Sequence, residues 1–158
     1  MANGLCFVSV SHRIEQDGVP CIEELQTIVY RDRGEIESAP LKVGEPEPEG
    51  YFTHPDSQLW FYSAVTHSGH RIHWDRAFCR EVEGYLDLVV HGPLMATELC
   101  EAMRGDVSTP QRFTFRAQAP VFTTTPLRIV LGMPRKERAG EIQRLDGIVS
   151  MKAMHTVL

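Results

Sequence analysis

The chain has 158 residues, 42% of them apolar and 23% charged, the proportions of one globular domain rather than of a fibrous or disordered chain. Sixteen Lys and Arg against 21 Asp and Glu leave a formal net charge of −5. With no basic run to grip phosphates, no nucleic-acid partner is expected. No apolar stretch is long enough to span a bilayer, and Met1–Pro20 has neither the basic nor the apolar region of a signal peptide, so no membrane association is expected. Cys6, Cys21, Cys79 and Cys100 form no C-x-x-C pair, which suits reduced thiols and a cytoplasmic location.

In chain order, Cys6, Val8 and Val10 alternate with Phe7 and Ser9, a strand pattern. Asp17-Gly18 marks a type I′ hairpin turn, and a second β-rich segment runs from Leu25 to Tyr30. Between Asp32 and Gly50, glutamates alternate with Pro40, Pro46 and Pro48 without a core-forming period, which predicts an exposed linker. Asp56 or Ser57 is suited to cap a short helix carrying Leu59, Trp60, Tyr62 and Ser63. Leu88-Val89-Val90 leads into His91-Gly92-Pro93, with Pro93 fitted to the first helical position. The helix that follows is predicted to run to about Arg104, stop at Gly105 and be buried nearly all round. Phe113 and Phe115 share one strand face. Further strands are predicted at Pro120–Phe122, Leu127–Leu131 and, after the Asp146-Gly147 turn, Ile148–Met154. The pattern predicts an α+β protein, with one antiparallel sheet around one helix.

Two segments could carry chemistry. His67, His70 and His73 recur every third residue with Asp75 nearby, which raises the question of a metal. On a helix, such spacing turns successive side chains by about 60°, so the outer two diverge by about 120°. The spacing also matches no common zinc motif, and no metal is expected. Alternatively, His73 is a general acid/base, since neutral imidazole can take and return a proton near neutral pH; a merely structural histidine at a helix end is the plainer alternative. In His91-Gly92-Pro93-Leu94, the Gly92 N–H at a helix start lacks an intrahelical partner and meets no Cβ, so it can stabilise an oxyanion. Here the plainer alternative is that Gly-Pro simply begins a helix.

Taken together, Ser63-Ala64-Val65-Thr66-His67-Ser68-Gly69-His70-Arg71-Ile72-His73-Trp74-Asp75 and Glu83-Gly84-Tyr85-Leu86-Asp87-Leu88-Val89-Val90-His91-Gly92-Pro93-Leu94 resemble the MaoC-like hot-dog-fold hydratases of enoyl-CoA thioesters. Within that group they resemble the branch acting on itaconyl-CoA, mesaconyl-C4-CoA or 3-methylfumaryl-CoA. Phe113–Arg116 and Ala119–Phe122 fall in the order expected for its later strands. Gly4 to Arg33 resembles the closing strands of a first hot-dog half.

The resemblance implies a hot-dog fold, an antiparallel sheet wrapped around a central helix. Residues 1–33 would form the hairpin, 34–50 a linker and 51–158 the MaoC-like domain. His73 matches the motif histidine that activates water, and Gly92 the glycine whose N–H holds the thioester oxygen. Ser68 stands where simple hydratases carry Asp and the mesaconyl branch commonly Asn; it can hydrogen-bond a water but is no base at neutral pH. Arg71 is placed to pair a substrate carboxylate through two hydrogen bonds, with His70 and Arg76 as further candidates and His91 and Pro93 as pocket residues. The implied reaction is hydration of a short branched dicarboxylic enoyl-CoA, itaconyl-CoA to citramalyl-CoA before mesaconyl-C4-CoA. It needs no cofactor beyond the CoA of the substrate, and a homodimer is expected. A non-catalytic acyl-CoA-binding subunit and a hot-dog thioesterase are the alternatives.

Overall fold

The computed structural model describes residues 5–31, 48–104 and 109–158. The chain divides into two compact units, Met1–Glu35 and Ile36–Leu158. Most of the predicted linker, and Gly105 as a helix stop, lie outside the described residues.

The first unit is a long hairpin of β1 (Leu5–Gln16) and β2 (Val19–Arg31). Its register runs from Leu5 opposite Arg31 to Gln16 opposite Val19. Asp17 and Gly18 both have positive φ, 52° and 77°, as a two-residue type I′ turn requires.

The second unit is built on α2 (Gly92–Met103) and a sheet of β3 (Gln111–Ala117), β4 (Leu127–Leu131), β5 (Glu137–Arg144) and β6 (Val149–Val157). The strand order is β3-β6-β5-β4 and every pairing is antiparallel. α2 packs against all four strands. Leu94, Met95, Leu99 and Met103 from the helix meet Leu127, Ile142, Met151 and Ala153 from the sheet to form the core. The expected arrangement of sheet around helix is present.

Three sequence expectations are corrected. Pro120–Phe122 is not a strand: Phe122 makes only an isolated bridge to Val89. The additional strand is instead β5, whose inward positions are Arg138, Gly140, Ile142 and Arg144, so no run of apolar alternation announces it. Gly140 stands opposite Ala153, and a Cβ at Gly140 would lie 2.5 Å from Met103 Sδ and 3.0 Å from Leu99 Cδ1. The small pair is the trough in which α2 rests. Nor is α2 buried all round, because Pro93, Thr97 and Glu101 form an exposed stripe at helical spacing.

α1 (Asp56–Val65) is capped by neither predicted residue. Pro55 occupies the cap position without a side-chain bond. Asp56 instead bonds Arg76, which also reaches the buried Asp87, tying the start of α1 to the segment before α2. The end of α1 is closed by a Schellman arrangement, with His67 N–H donating to Ala64 O and Ser68 N–H to Ser63 O. His67 takes the left-handed position, φ 54°, so the chain turns there.

Candidate active site

Three local devices bring the two histidine-bearing segments together. The Schellman turn aims the chain after α1 into a 3-10 turn at Arg71–His73. Segment 88–90 is clamped beside it: Val89 N–H donates to Ile72 O, Val90 N–H to Val121 O, and Thr123 N–H to Leu88 O. Between them lies a π-helical segment, Phe78–Glu83, ended by Gly84 at φ 76°. Its buried Cys79 bonds Ile72 O through sulfur. Irregular turns of this kind pass unnoticed in a periodicity reading.

His73 is half-buried, and its Nδ1 lies 2.7 Å from Val89 O. A carbonyl can only accept, so Nδ1 carries the proton and Nε2 presents the lone pair. The ring of His73 stacks on that of His91, with centroids 3.6 Å apart and planes 17° from parallel. His91 is 2% exposed. Its Nε2 lies 2.8 Å from Ser63 Oγ, and the Tyr62 ring meets it edge-on at 4.8 Å. Burial lowers the pKa of His73 despite the Val89 bond, and nearby His70 lowers it further. His91 is pushed down to about 4, chiefly by burial and then by repulsion from His73 and His54. Both imidazoles are therefore neutral near pH 7, and His73 is in the form that accepts a proton.

His91 is also the cap residue of α2, so Gly92, the first helical residue, follows directly on the ring that His73 touches. Pro93 comes second, one place later than predicted, and is exposed. Nothing lies within 4 Å of where a Gly92 Cβ would stand. Among the described residues, the Gly92 N–H at the positive end of α2 has no backbone acceptor, so a ligand oxygen can approach it. The arrangement thus places a proton acceptor against the residue that precedes a helix-start N–H, the two kinds of group that proton transfer next to a carbonyl needs.

The other predicted residues are placed as follows. Ser68 is partly buried and, among the described residues, its hydroxyl has no partner; its backbone joins it to Ser63. His70 is exposed, with its ring 5.7 Å from that of His73. Arg71 gives Nε and Nη2 to Asp75 and lies over the Phe78 ring at 4.3 Å; a substrate carboxylate would meet its Nη1 or compete with Asp75. Asp75 is held below the usual carboxylate range first by the Phe78 N–H and then by Arg71, and serves this local structure. Arg76 is engaged by Asp56 and Asp87. Among the described residues, no three His, Cys, Asp or Glu side chains are grouped to hold a metal ion.

The sequence reading did not single out Ser63 and Val89, which orient the two rings. It also missed His54, buried and bonded to Glu98 of α2 at 2.9 Å. Ser63 sits four residues after Leu59 on the only buried stripe of α1, a signal that core packing alone would explain.

Among solved structures, the chain resembles HtdX from Mycobacterium tuberculosis, with a TM-score of 0.76, 17% identity, and coverage of 96% of this chain and 62% of that one. It also resembles a MaoC-like dehydratase from Phytophthora capsici, with a TM-score of 0.72, 14% identity, and coverage of 99% of this chain and 58% of that one. Both likenesses are of fold, and they give the chain the hot-dog fold. The model of the hydroxyacyl-thioester dehydratase type 2 family matches residues 2–123, and the chain belongs to that family. It is 43% identical over 155 residues to a mesaconyl-C(4)-CoA hydratase of Chloroflexus aurantiacus, covering 94% of this chain and 55% of the relative. It is 33% identical over 118 residues to a mitochondrial hydroxyacyl-thioester dehydratase type 2 of Schizosaccharomyces pombe, covering 70% of this chain and 39% of the relative. The chain thus spans about half the length of these curated relatives or less.

Proposed function

We propose that the protein is a hydro-lyase that adds water to the double bond of a short branched dicarboxylic enoyl-CoA. The observation that carries this reading is the stack of His73 on His91, which holds a neutral imidazole, bonded through Nδ1 to Val89 O, against the residue that precedes Gly92. Family membership and the Chloroflexus relative support it. That relative also favours mesaconyl-C4-CoA over itaconyl-CoA, reversing the order expected from sequence.

In this mechanism, Gly92 N–H donates to the thioester oxygen and draws electron density from the conjugated double bond, leaving the β-carbon electrophilic. A water held by Ser68 gives one proton to His73 Nε2 as its oxygen bonds that carbon. The enolate oxygen formed stays on the Gly92 N–H, and the imidazolium returns its proton to the α-carbon. Acid–base addition of this kind needs no cofactor beyond the CoA of the substrate. Arg71, through Nη1, and His70 are both exposed and would meet the substrate's free carboxylate.

Product analysis by mass spectrometry, with mesaconyl-C4-CoA and itaconyl-CoA supplied separately, tests the reading. The expected result is the mass of one added water on one ester, with kcat reduced on the order of 100-fold or more in His73→Ala. Release of free CoA would assign a thioesterase instead. Binding without turnover would assign a non-catalytic acyl-CoA-binding subunit.

A further inference from the structure

The histidine expected to line the substrate pocket is buried. His91 is 2% exposed, sandwiched between the edge of Tyr62 and the face of His73, and fastened to Ser63. Its Nδ1 is buried and, among the described residues, has no hydrogen-bond partner. An orphaned lone pair costs less there than an orphaned N–H, so Nδ1 is the bare nitrogen and Nε2–H donates to Ser63 Oγ. With Nε2 engaged by Ser63 and Nδ1 buried, neither ring nitrogen of His91 is open to a substrate.

We propose that His91 is a positioning residue that acts through His73, with Ser63 locking its ring, and that it does not contact the substrate. The reason is geometric. The bond from Nδ1 to Val89 O fixes one point of the His73 ring and leaves rotation about that axis free. The face of His91 at 3.6 Å removes this freedom, so Nε2 points in one direction. The ring of His91 also shields one face of His73 from water, which keeps it neutral. His70, edge-on to His73, and His54, near His91, are the other titratable groups acting on the pair. Ser63 and His91 are 28 residues apart in sequence, so the bond couples α1 to the cap of α2 and carries the alignment of both segments.

The inference deepens the hydratase reading and rests on it for its kinetic consequence, but its first test needs no turnover. Long-range proton–nitrogen NMR of the imidazoles in substrate-free protein reports tautomer and titration directly. Wild-type His73 is expected as a single Nδ1–H tautomer titrating below its ordinary value. In His91→Ala, His73 is expected to show mixed tautomers and to titrate closer to that value. His91→Phe keeps an aromatic face and is expected to restore the single tautomer. Ser63→Ala leaves both rings in place and is expected to fall between these, which keeps the test decisive if His91→Ala fails to fold. In turnover, His91→Ala is expected to lower kcat roughly 10- to 100-fold with KM within about 2-fold, the pattern of a misaligned base. Unchanged His73 tautomer and titration in both His91→Ala and Ser63→Ala would overturn the proposal. So would a rise in KM at constant kcat, which would return His91 to the substrate. An inactive wild type with the NMR pattern intact would count against the hydratase reading alone.

Discussion

At the residue scale, two positions carry energies that can be measured. His67 holds the left-handed position of the α1 terminus at φ 54°, a conformation that costs a residue with a Cβ more than it costs glycine. His67→Gly is expected to stabilise the protein by about 1 kcal/mol, read as a higher urea midpoint; an unchanged or lower midpoint would show that the imidazole is held by something else. The second position is His91. Its native pKa of about 4 lies below the ordinary value of 6.5, so between these values the unfolded chain binds the extra proton. Its contribution to stability is therefore full above about pH 6.5, declines as pH falls towards 4, and has a slope of at most about 1.4 kcal/mol per pH unit. His73, also lowered, adds in the same direction. Urea unfolding at about pH 7.5 and about pH 4.5 checks this, and His91→Phe is expected to flatten the difference.

At the scale of elements, the sheet shows where sequence periodicity stops being informative. β4 and β6 are legible because Leu127, Ile129, Met151 and Ala153 alternate inward. β5 is not, because its inward row includes a glycine and two arginines. The Arg144 guanidinium bonds Asp146 and the carbonyl of Pro120 through its two terminal nitrogens, and the inward position 140 takes glycine because α2 leaves no room for a Cβ. Gly140→Ala is expected to destabilise the fold by roughly 1–3 kcal/mol through overpacking against Leu99 and Met103. The check is thermal unfolding beside Gly147→Ala as a control, where nothing lies within 4 Å and only the φ of 85° is strained. A smaller loss at Gly140 than at Gly147 would mean that Met103 moves aside freely.

At the scale of the whole molecule, the opening hairpin stands out. A two-stranded ribbon is marginal by itself in water, and here Phe7, Ile14, Val19, Ile22, Leu25 and Tyr30 each leave more than half of their surface exposed. We propose, in line with the homodimer expected from the resemblance, that a second copy covers these side chains. Light scattering on the eluted protein is expected to give twice the chain mass, and Leu25→Asp is expected to lower it towards one chain. A monomer in the wild type would refute the pairing; a dimer indifferent to Leu25→Asp would move the interface elsewhere.

The amino-acid sequence by itself determined what local chemistry can determine. It showed the Asp17-Gly18 turn, the helix that starts at His91-Gly92-Pro93, most of the strand pattern, and two histidine-bearing segments whose resemblance named a family. Only the tertiary structure decided which nitrogen of His73 is free, because that depends on Val89 O, sixteen residues away in sequence. It likewise buried His91 against the ring of His73, and gave Arg71 a carboxylate partner in Asp75. Periodicity and capping act within a few residues along the chain, whereas a tautomer, a ring stack and a buried pKa are set by groups that meet only when the chain has folded.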